Sequence, residues 1–484
     1  MTVLFEELAD FNLENLERVA LSGEGARLGA AARAGMEAAR AAYGAWLAAN
    51  PGRFVYGVTS DFGPHVARRL TAEERRSLRR LGMPFLGLSI GQGTLPEAGV
   101  RAMVVALLAL FFRGGPAAGV DTVRALCRAL DGPMPKIPDA GLTSPGEMLA
   151  MFYLYQAIPA LIEDEGQASA GNSAAVSVGL AGLAAIGAKR RLELAIQALA
   201  LSYEAFGAPL EHLDPALADL WGDPFEAAAL ARLGGCLEGA PAAGRRAYQA
   251  PVSYRILPRI LGQALRAAAR LEETVEASLQ AMVSNPMFLP VAGRRGGRGA
   301  ARVLSTGGFH NALVAQALDG MSAAWVDLAS LMHRHVVKLH RGAVSHLPDR
   351  LLREGQSYRL GRTTSYLEFV PGDVLEEMRR WAEPALLSPG EPGASHQDDV
   401  SAPGLIASRN ERKVATLFDR VMAVQAAVAS QALDVTDRGA PPGLEGFLAE
   451  VREHFPPVRE KRVLGEDAAR LAAAFTQRAQ GEAG

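Results

Sequence analysis

Three histidines, His333, His335 and His340, stand close together in one helical stretch and are the first place to look for a metal. On a helix, His333 and His340 share a face at a spacing of seven while His335 points elsewhere, which is poor ligand geometry. With Arg334, Lys338 and Arg341 interleaved, the stretch reads as a solvated basic face, and no metal is expected. Arg255 opens an apolar stretch at Ile256-Leu257, where an unpaired guanidinium is costly. It either meets an internal acid or grips a carboxylate through two parallel hydrogen bonds. Tyr56 and Asp61 share a loop. A phenol of pKa about 10 is a base at neutral pH only beside positive charge or oriented dipoles, and otherwise packs its ring under a turn. A carboxylate at Asp61 would repel a phenolate, attract a cationic group, act as an acid or base itself, or cap the helix that starts near Pro64-His65.

The elements that must position these groups are helical. Apolar residues return at three- and four-residue spacing over Gly25–Ala49, Ala72–Leu81, Arg190–Phe206, Arg255–Met282, Asn311–Leu339, Val374–Trp381 and Asn410–Leu433. Alternating Val/Ile/Tyr stretches are scarce, so a mainly α, helical-bundle fold with a loop-built site is expected. Pro51–Pro64, Asp131–Gly146, Ala292–Gly308, Ser388–Gly404 and Thr436–Gly446 are rich in Gly, Pro, Ser or Asp and read as loops, where chemistry is most often carried. The division expected is residues 1–200, holding the Tyr56 loop and the 137–147 loop, and residues 201–484, a bundle of long helices.

The 484 residues carry 50 Lys+Arg against 52 Asp+Glu, a formal net charge of −2 that argues against a partner held by bulk charge such as nucleic acid. The basic loop Arg294–Arg298 reads as a solvated turn. At 49% hydrophobic residues the chain can bury a sizeable core. Cys127 and Cys236, far apart, read as reduced thiols of a cytoplasmic protein. The N-terminus carries Glu6, Glu7 and Asp10, unlike a signal peptide. Ala102–Phe112 is too short to span a membrane, and Gln167–Ala188, uncharged but rich in Ser and Gly, reads as a helix buried on all sides. No membrane partner is expected.

The loop Phe54-Val55-Tyr56-Gly57-Val58-Thr59-Ser60-Asp61-Phe62-Gly63 resembles the Tyr-Gly-Val-x-Thr-Gly-Phe-Gly loop of the aromatic amino-acid ammonia-lyases, the histidine and phenylalanine ammonia-lyase family. Further matches follow in order. Gln249-Ala250-Pro251-Val252-Ser253-Tyr254-Arg255 is similar to that family's Gln-Asp-x-Tyr-Ser-x-Arg, and Asn285-Pro286 to its Asp-Asn-Pro. Gly307-Gly308-Phe309-His310-Asn311 is similar to Gly-Asn-Phe-His-Gly, and His396-Gln397-Asp398-Asp399-Val400-Ser401 to Asn-Gln-Asp-Val-Val-Ser. The resemblance implies a helical subunit of a homotetramer, with active sites built from loops of more than one subunit. It implies Tyr56 as the base that removes a β-proton and Arg255 as the carboxylate-binding arginine. Gln249, Phe309 and Gln397 fall at pocket positions, Asn172 only approximately, and His310 is structural.

The same resemblance implies an electrophile, a methylidene-imidazolone (MIO) formed autocatalytically from Ala-Ser-Gly. Aligned on Gly146 and Glu147, the tripeptide here is Ser144-Pro145-Gly146. Its middle residue has no hydroxyl to lose. One residue earlier, Thr143-Ser144-Pro145 ends on a residue without the N–H that must attack. No MIO is expected. Asp61, Val252, Gly308 and Ser284 replace the family's Gly, Tyr, Asn and Asp, Gly171-Asn172 inverts its Asn-Gly, and no Ser-His pair is found near Leu88–Gly93.

These departures lead to an MIO-independent lyase acting on a carboxylate-bearing substrate, by carbon–heteroatom elimination or the reverse conjugate addition or cyclisation, with Tyr56 and Asp61 as catalytic groups. Two other readings stand beside it. One is a catalytically inactive homologue that binds a ligand or serves as a scaffold. The other is a biosynthetic enzyme repurposed for a bulky or carrier-linked substrate, with Val252 and Gly308 enlarging the pocket.

Overall fold

A computed structural model describes residues 1–81, 89–90, 93–115, 117–164, 167–246, 248–290, 301–357, 361–387 and 397–481. The Arg294–Arg298 loop and His396 lie outside these. The fold is mainly helical, as the apolar spacing requires. Its four longest helices are Ala175–Phe206, Leu257–Leu279, Ala312–His340 and Gly404–Val435.

The chain divides into two compact units, each drawn from three stretches. One holds Met1–Ile186, Leu271–Leu318 and Pro384–Arg409; the other holds Gly187–Arg270, Asp319–Glu383 and Asn410–Gly484. Loops are the usual boundaries between domains, and a single cut near residue 200 follows from looking for one. Here four of the five boundaries fall inside the long helices just named.

In the first unit the strands Thr2–Phe5 and Gly25–Leu28 pair in parallel. The helix expected over Gly25–Ala49 therefore begins later, at Ala30. A Cβ at Gly25 would lie 2.7 Å from Asp131 Oδ1, the end of a half-exposed side chain that can swing away. The apolar run lies in the helix Glu97–Phe112, buried on nearly every side. Arg101 is admitted to that interior because its guanidinium donates to the carbonyls of Val19, Leu130 and Glu24. The uncharged stretch 167–188 is not one helix. It breaks after Gly171 and restarts at Ala175, and between them Ser173 bridges to Ser284. Among the described residues no helix is long and apolar enough to cross a membrane.

The second unit corrects the reading of the histidines. His335 and His340 are fully buried, not solvated, while Arg334 and Arg341 take the exposed side. His335 stacks on Tyr254 with ring centroids 3.8 Å apart, and Tyr254 stacks in turn on Phe206 at 4.2 Å. The Ser253 carbonyl faces His335 Nε2 at 3.2 Å, and His340 Nε2 meets Thr364 Oγ1 at 2.9 Å. Burial pushes both imidazoles down to about 4, so each is a neutral core residue. Among the described residues no group of three His, Cys, Asp or Glu is arranged to hold a metal ion. Two buried acids in this unit are paired: Arg191 donates to Asp419 at 3.0 Å, and Glu204 accepts from Arg245 and Arg438.

Candidate active site

The Tyr56 loop is knitted by its own backbone. The N–H groups of Val58, Thr59 and Ser60 all converge on the Val55 carbonyl, at 2.9–3.1 Å. Thr59 Oγ1 accepts from Val55 N at 2.7 Å and donates to the Arg53 carbonyl at 2.8 Å. Gly57 turns the chain with φ +67°, and a Cβ there would meet the Phe62 ring at 2.5 Å and Ala168 at 2.6 Å. Glycine is thus required twice over, by conformation and by close approach. The loop holds Tyr56 half-buried and edge-on to Phe62, with 5.6 Å between ring centroids. The phenol oxygen accepts a long 3.4 Å bond from Gly63 N. Burial raises the Tyr56 pKa, the Gly63 N–H offsets this in part, and the charges of Asp398 and then Asp61 raise it further.

Asp61 is not a helix cap. Phe62 is the capping position of the short turn Gly63–His65, without a side-chain cap bond. The Asp61 carboxylate instead accepts from Phe62 N at 2.8 Å and from Arg68 at 2.6 Å, and Arg68 also pairs with Glu74. Burial alone would raise the Asp61 pKa, but these donors outweigh it and hold the group below the usual carboxylate range. Asp61 is therefore an anion already partnered. Asp398 differs: burial, then the neighbouring Asp399, push its pKa up. Gln397, the pocket position expected from the motif, lies one residue before the acid whose charge reaches Tyr56, and the adjacent pair Asp398-Asp399 is the signal for it in the sequence.

A second loop completes the first unit's cluster. The Ser144 carbonyl accepts from Ala402 N at 3.2 Å, and the Gly146 carbonyl from Ser173 N at 3.1 Å. Gly146 has φ +65°, and a Cβ there would overlap Asn172 Oδ1. Asn172 is buried against this turn, and its carbonyl accepts from Asn285 N at 3.0 Å. Asn285 Oδ1 in turn accepts from Thr306 N at 2.7 Å. Gly308 does not enlarge a pocket, because a Cβ there would press on the carbonyls of Ser284 at 2.9 Å and Met282 at 3.0 Å. Phe309 is half-buried and Gln397 exposed. Of the stretch Leu88–Gly93, Leu88, Gly91 and Gln92 lie outside the described residues; Ser89 N donates to Tyr153 Oη at 3.2 Å, and Ile90 is exposed.

The residues at this turn do not fit the MIO group. Pro145 stands in the middle and opens the 3-10 turn Pro145–Glu147, with Gly146 left-handed behind it. The next residue brings a titratable group to the turn. Glu147 is fully buried and also left-handed, at φ +55°. Its carboxylate accepts from Ser177 N at 2.9 Å, in the first turn of the helix Ala175–Phe206. Burial outweighs that bond and pushes its pKa up to about 7. No feature of the sequence announces this beyond its position before an apolar helix.

The second unit holds the other motif. Tyr254, two residues beyond the place of the family's tyrosine, is in the core stack described above. Val252 and Gln249 are exposed. Arg255 is half-buried; its Nε is enclosed with no hydrogen-bond partner, and it has no ion pair among the described residues. The internal acid that could have explained it is absent from that set.

The family model described as aromatic amino acid lyase matches residues 11–159 and 154–453. A histidine ammonia-lyase of Symbiobacterium thermophilum is 27% identical, over 94% of this chain and 94% of its own. Among solved structures, the phenylalanine aminomutase of Pantoea agglomerans superposes with a TM-score of 0.87, covering 99% of this chain and 100% of that one at 18% identity. The ergothioneine-degrading ergothionase of Treponema denticola, solved with desmethyl-ergothioneine sulfonic acid, superposes with a TM-score of 0.84, covering 99% of each chain at 16% identity.

Proposed function

This chain belongs to the aromatic amino acid lyase family, and from that premise we propose that it works without MIO, eliminating a cationic nitrogen group from a carboxylate-bearing substrate or running the reverse addition. The observation that carries this reading is the charge around Tyr56. Burial, Asp398 and Asp61 all keep the proton on the phenol, and Arg68 is engaged by Asp61 and Glu74. Such a phenol becomes a base when positive charge arrives, and a substrate ammonium brings it.

The same charge suits the leaving group. Once the bound cation lets the phenol release its own proton to solvent, the Tyr56 phenolate takes the β-proton, the C–H electron pair becomes the new carbon–carbon double bond, and the C–N pair departs with nitrogen. A quaternary ammonium leaves as a neutral amine and needs no electrophile to assist it. Asp398, half-buried and not paired by Arg68, is the carboxylate best suited to hold that cation. Asp61 serves by fixing the loop. Arg255, with its Nε enclosed and unpartnered, is suited to the substrate carboxylate and would be supplied by another subunit of a homotetramer. The different named activities of the neighbours support a scaffold that outlasts changes in chemistry.

The test is a thermal-shift and turnover panel of aromatic amino acids, their N-trimethyl betaines and the matching acrylates. We expect a betaine to stabilise the wild type and be converted to amine and acrylate. Tyr56→Phe should lower kcat by ~10²–10⁴-fold, the usual worth of a general base, and still bind. Full activity in Tyr56→Phe, conversion of ordinary amino acids only, or an intact mass short by two waters would each sink the reading. A protein that binds and converts none of the panel is the inactive homologue.

A further inference from the structure

A cavity lies in the first unit, lined by residues outside the Tyr56 loop. Arg27 on the strand Gly25–Leu28, Arg33 on the helix Ala30–Ala49, and Arg124 and Arg128 on the helix Val120–Ala129 surround a cavity of about 320 Å³. That size is at the lower end for small-ligand pockets. Its remaining lining is apolar: Leu28, Val120, Val123 and Cys127, all buried. Burial pushes the Cys127 thiol up to about 11, so the floor is neutral.

The charges do not cancel. Arg27 pairs with Asp131 and Arg124 with Asp121, both at the surface. Arg33 and Arg128 have no acid partner among the described residues, leaving two guanidiniums in excess in a chain whose formal net charge is −2. Arg124 and Arg128 stand four apart on one helix, where like charges repel. A flat basic face would be solvated; here four arginines line a hollow together with buried apolar residues, and planar guanidinium donors suit the oxygens of phosphate. The hollow is too small for a nucleic-acid duplex.

We propose that this pocket binds a small phosphate-bearing molecule, with the phosphate held by Arg33 and Arg128 and an apolar part against Leu28 and Val123. Because both arginines are exposed, their replacement should leave the fold intact. The experiment is isothermal titration of the full-length protein with inorganic pyrophosphate, with citrate as a carboxylate polyanion of similar charge. The proteins compared are wild type, Arg33→Ala/Arg128→Ala, and Arg379→Ala as a control for loss of surface charge. Expected are saturable pyrophosphate binding to wild type and the Arg379 variant, at least tenfold weaker binding to the double variant, and citrate weaker than pyrophosphate throughout. Absence of saturable binding, equal binding by the double variant, or citrate binding as well as pyrophosphate would each overturn the proposal. None of these outcomes depends on the reaction at Tyr56.

Discussion

Glu204 and Glu147 are both fully buried glutamates, one in each unit, and they are treated in opposite ways. Glu204 lies between two guanidiniums, Arg245 and Arg438. Glu147 has hydrogen-bond donors from the start of a helix and no ion-pair partner among the described residues, and its pKa rises to about 7. The same contrast runs through their surroundings. The second unit closes its Arg191–Asp419 pair inside the core, and its buried histidines are hydrogen-bonded there through Nε2. The first unit's loops keep a phenol among carboxylates and bury Glu147 away from any ion-pair partner among the described residues. Satisfied charge marks what holds the molecule together, and unbalanced charge marks where it can act.

The comparison can be broken experimentally, and the largest effect should come from the paired glutamate. Glu204→Gln leaves Arg245 buried without its counter-ion and should cost about 3–5 kcal/mol in denaturant unfolding. A loss under ~1 kcal/mol would mean that the second unit does not rest on its ion pairs. Glu147 should give a smaller effect with a pH signature. Its folded pKa lies above its unfolded one, so its contribution is complete below about 4.5 and is lost as pH rises through about 7. Glu147→Gln lacks this dependence, and its stability relative to wild type should therefore rise by about 3 kcal/mol across that window. Parallel pH profiles for the two proteins would refute the uncompensated burial of Glu147. The least effect belongs to Asp61. Its partner Arg68 is half exposed, so Asp61→Asn should cost under ~1 kcal/mol and change kcat far less than Tyr56→Phe. A hundredfold drop in kcat would return Asp61 to the catalytic group.

The helices and the family were legible because apolar spacing and ordered loop motifs are local in sequence. The site's electrostatics were not. Arg68 reaches Asp61 only because the loop folds back on itself, and Asp398 reaches Tyr56 from more than 300 residues away. The histidines misled for a related reason. Charged neighbours on a helix say that one side is wet, and His335 turned out to face Tyr254 and the Ser253 carbonyl, partners from another helix. Glycine was equally ambiguous: Gly308 looked like a side chain removed to make room, and the carbonyls of Ser284 and Met282 fill that room.

Pro145 has one more consequence. Its pyrrolidine fixes φ near about −65°, so the turn at Ser144–Glu147 contains a stiff five-membered ring supplied by an ordinary residue. The mechanical service of a ring, holding Gly146 against Asn172 and Glu147 at the mouth of a long helix, is thereby separated from any reactivity of a ring. A turn of this kind can keep its shape over evolutionary time while the reaction beside it changes.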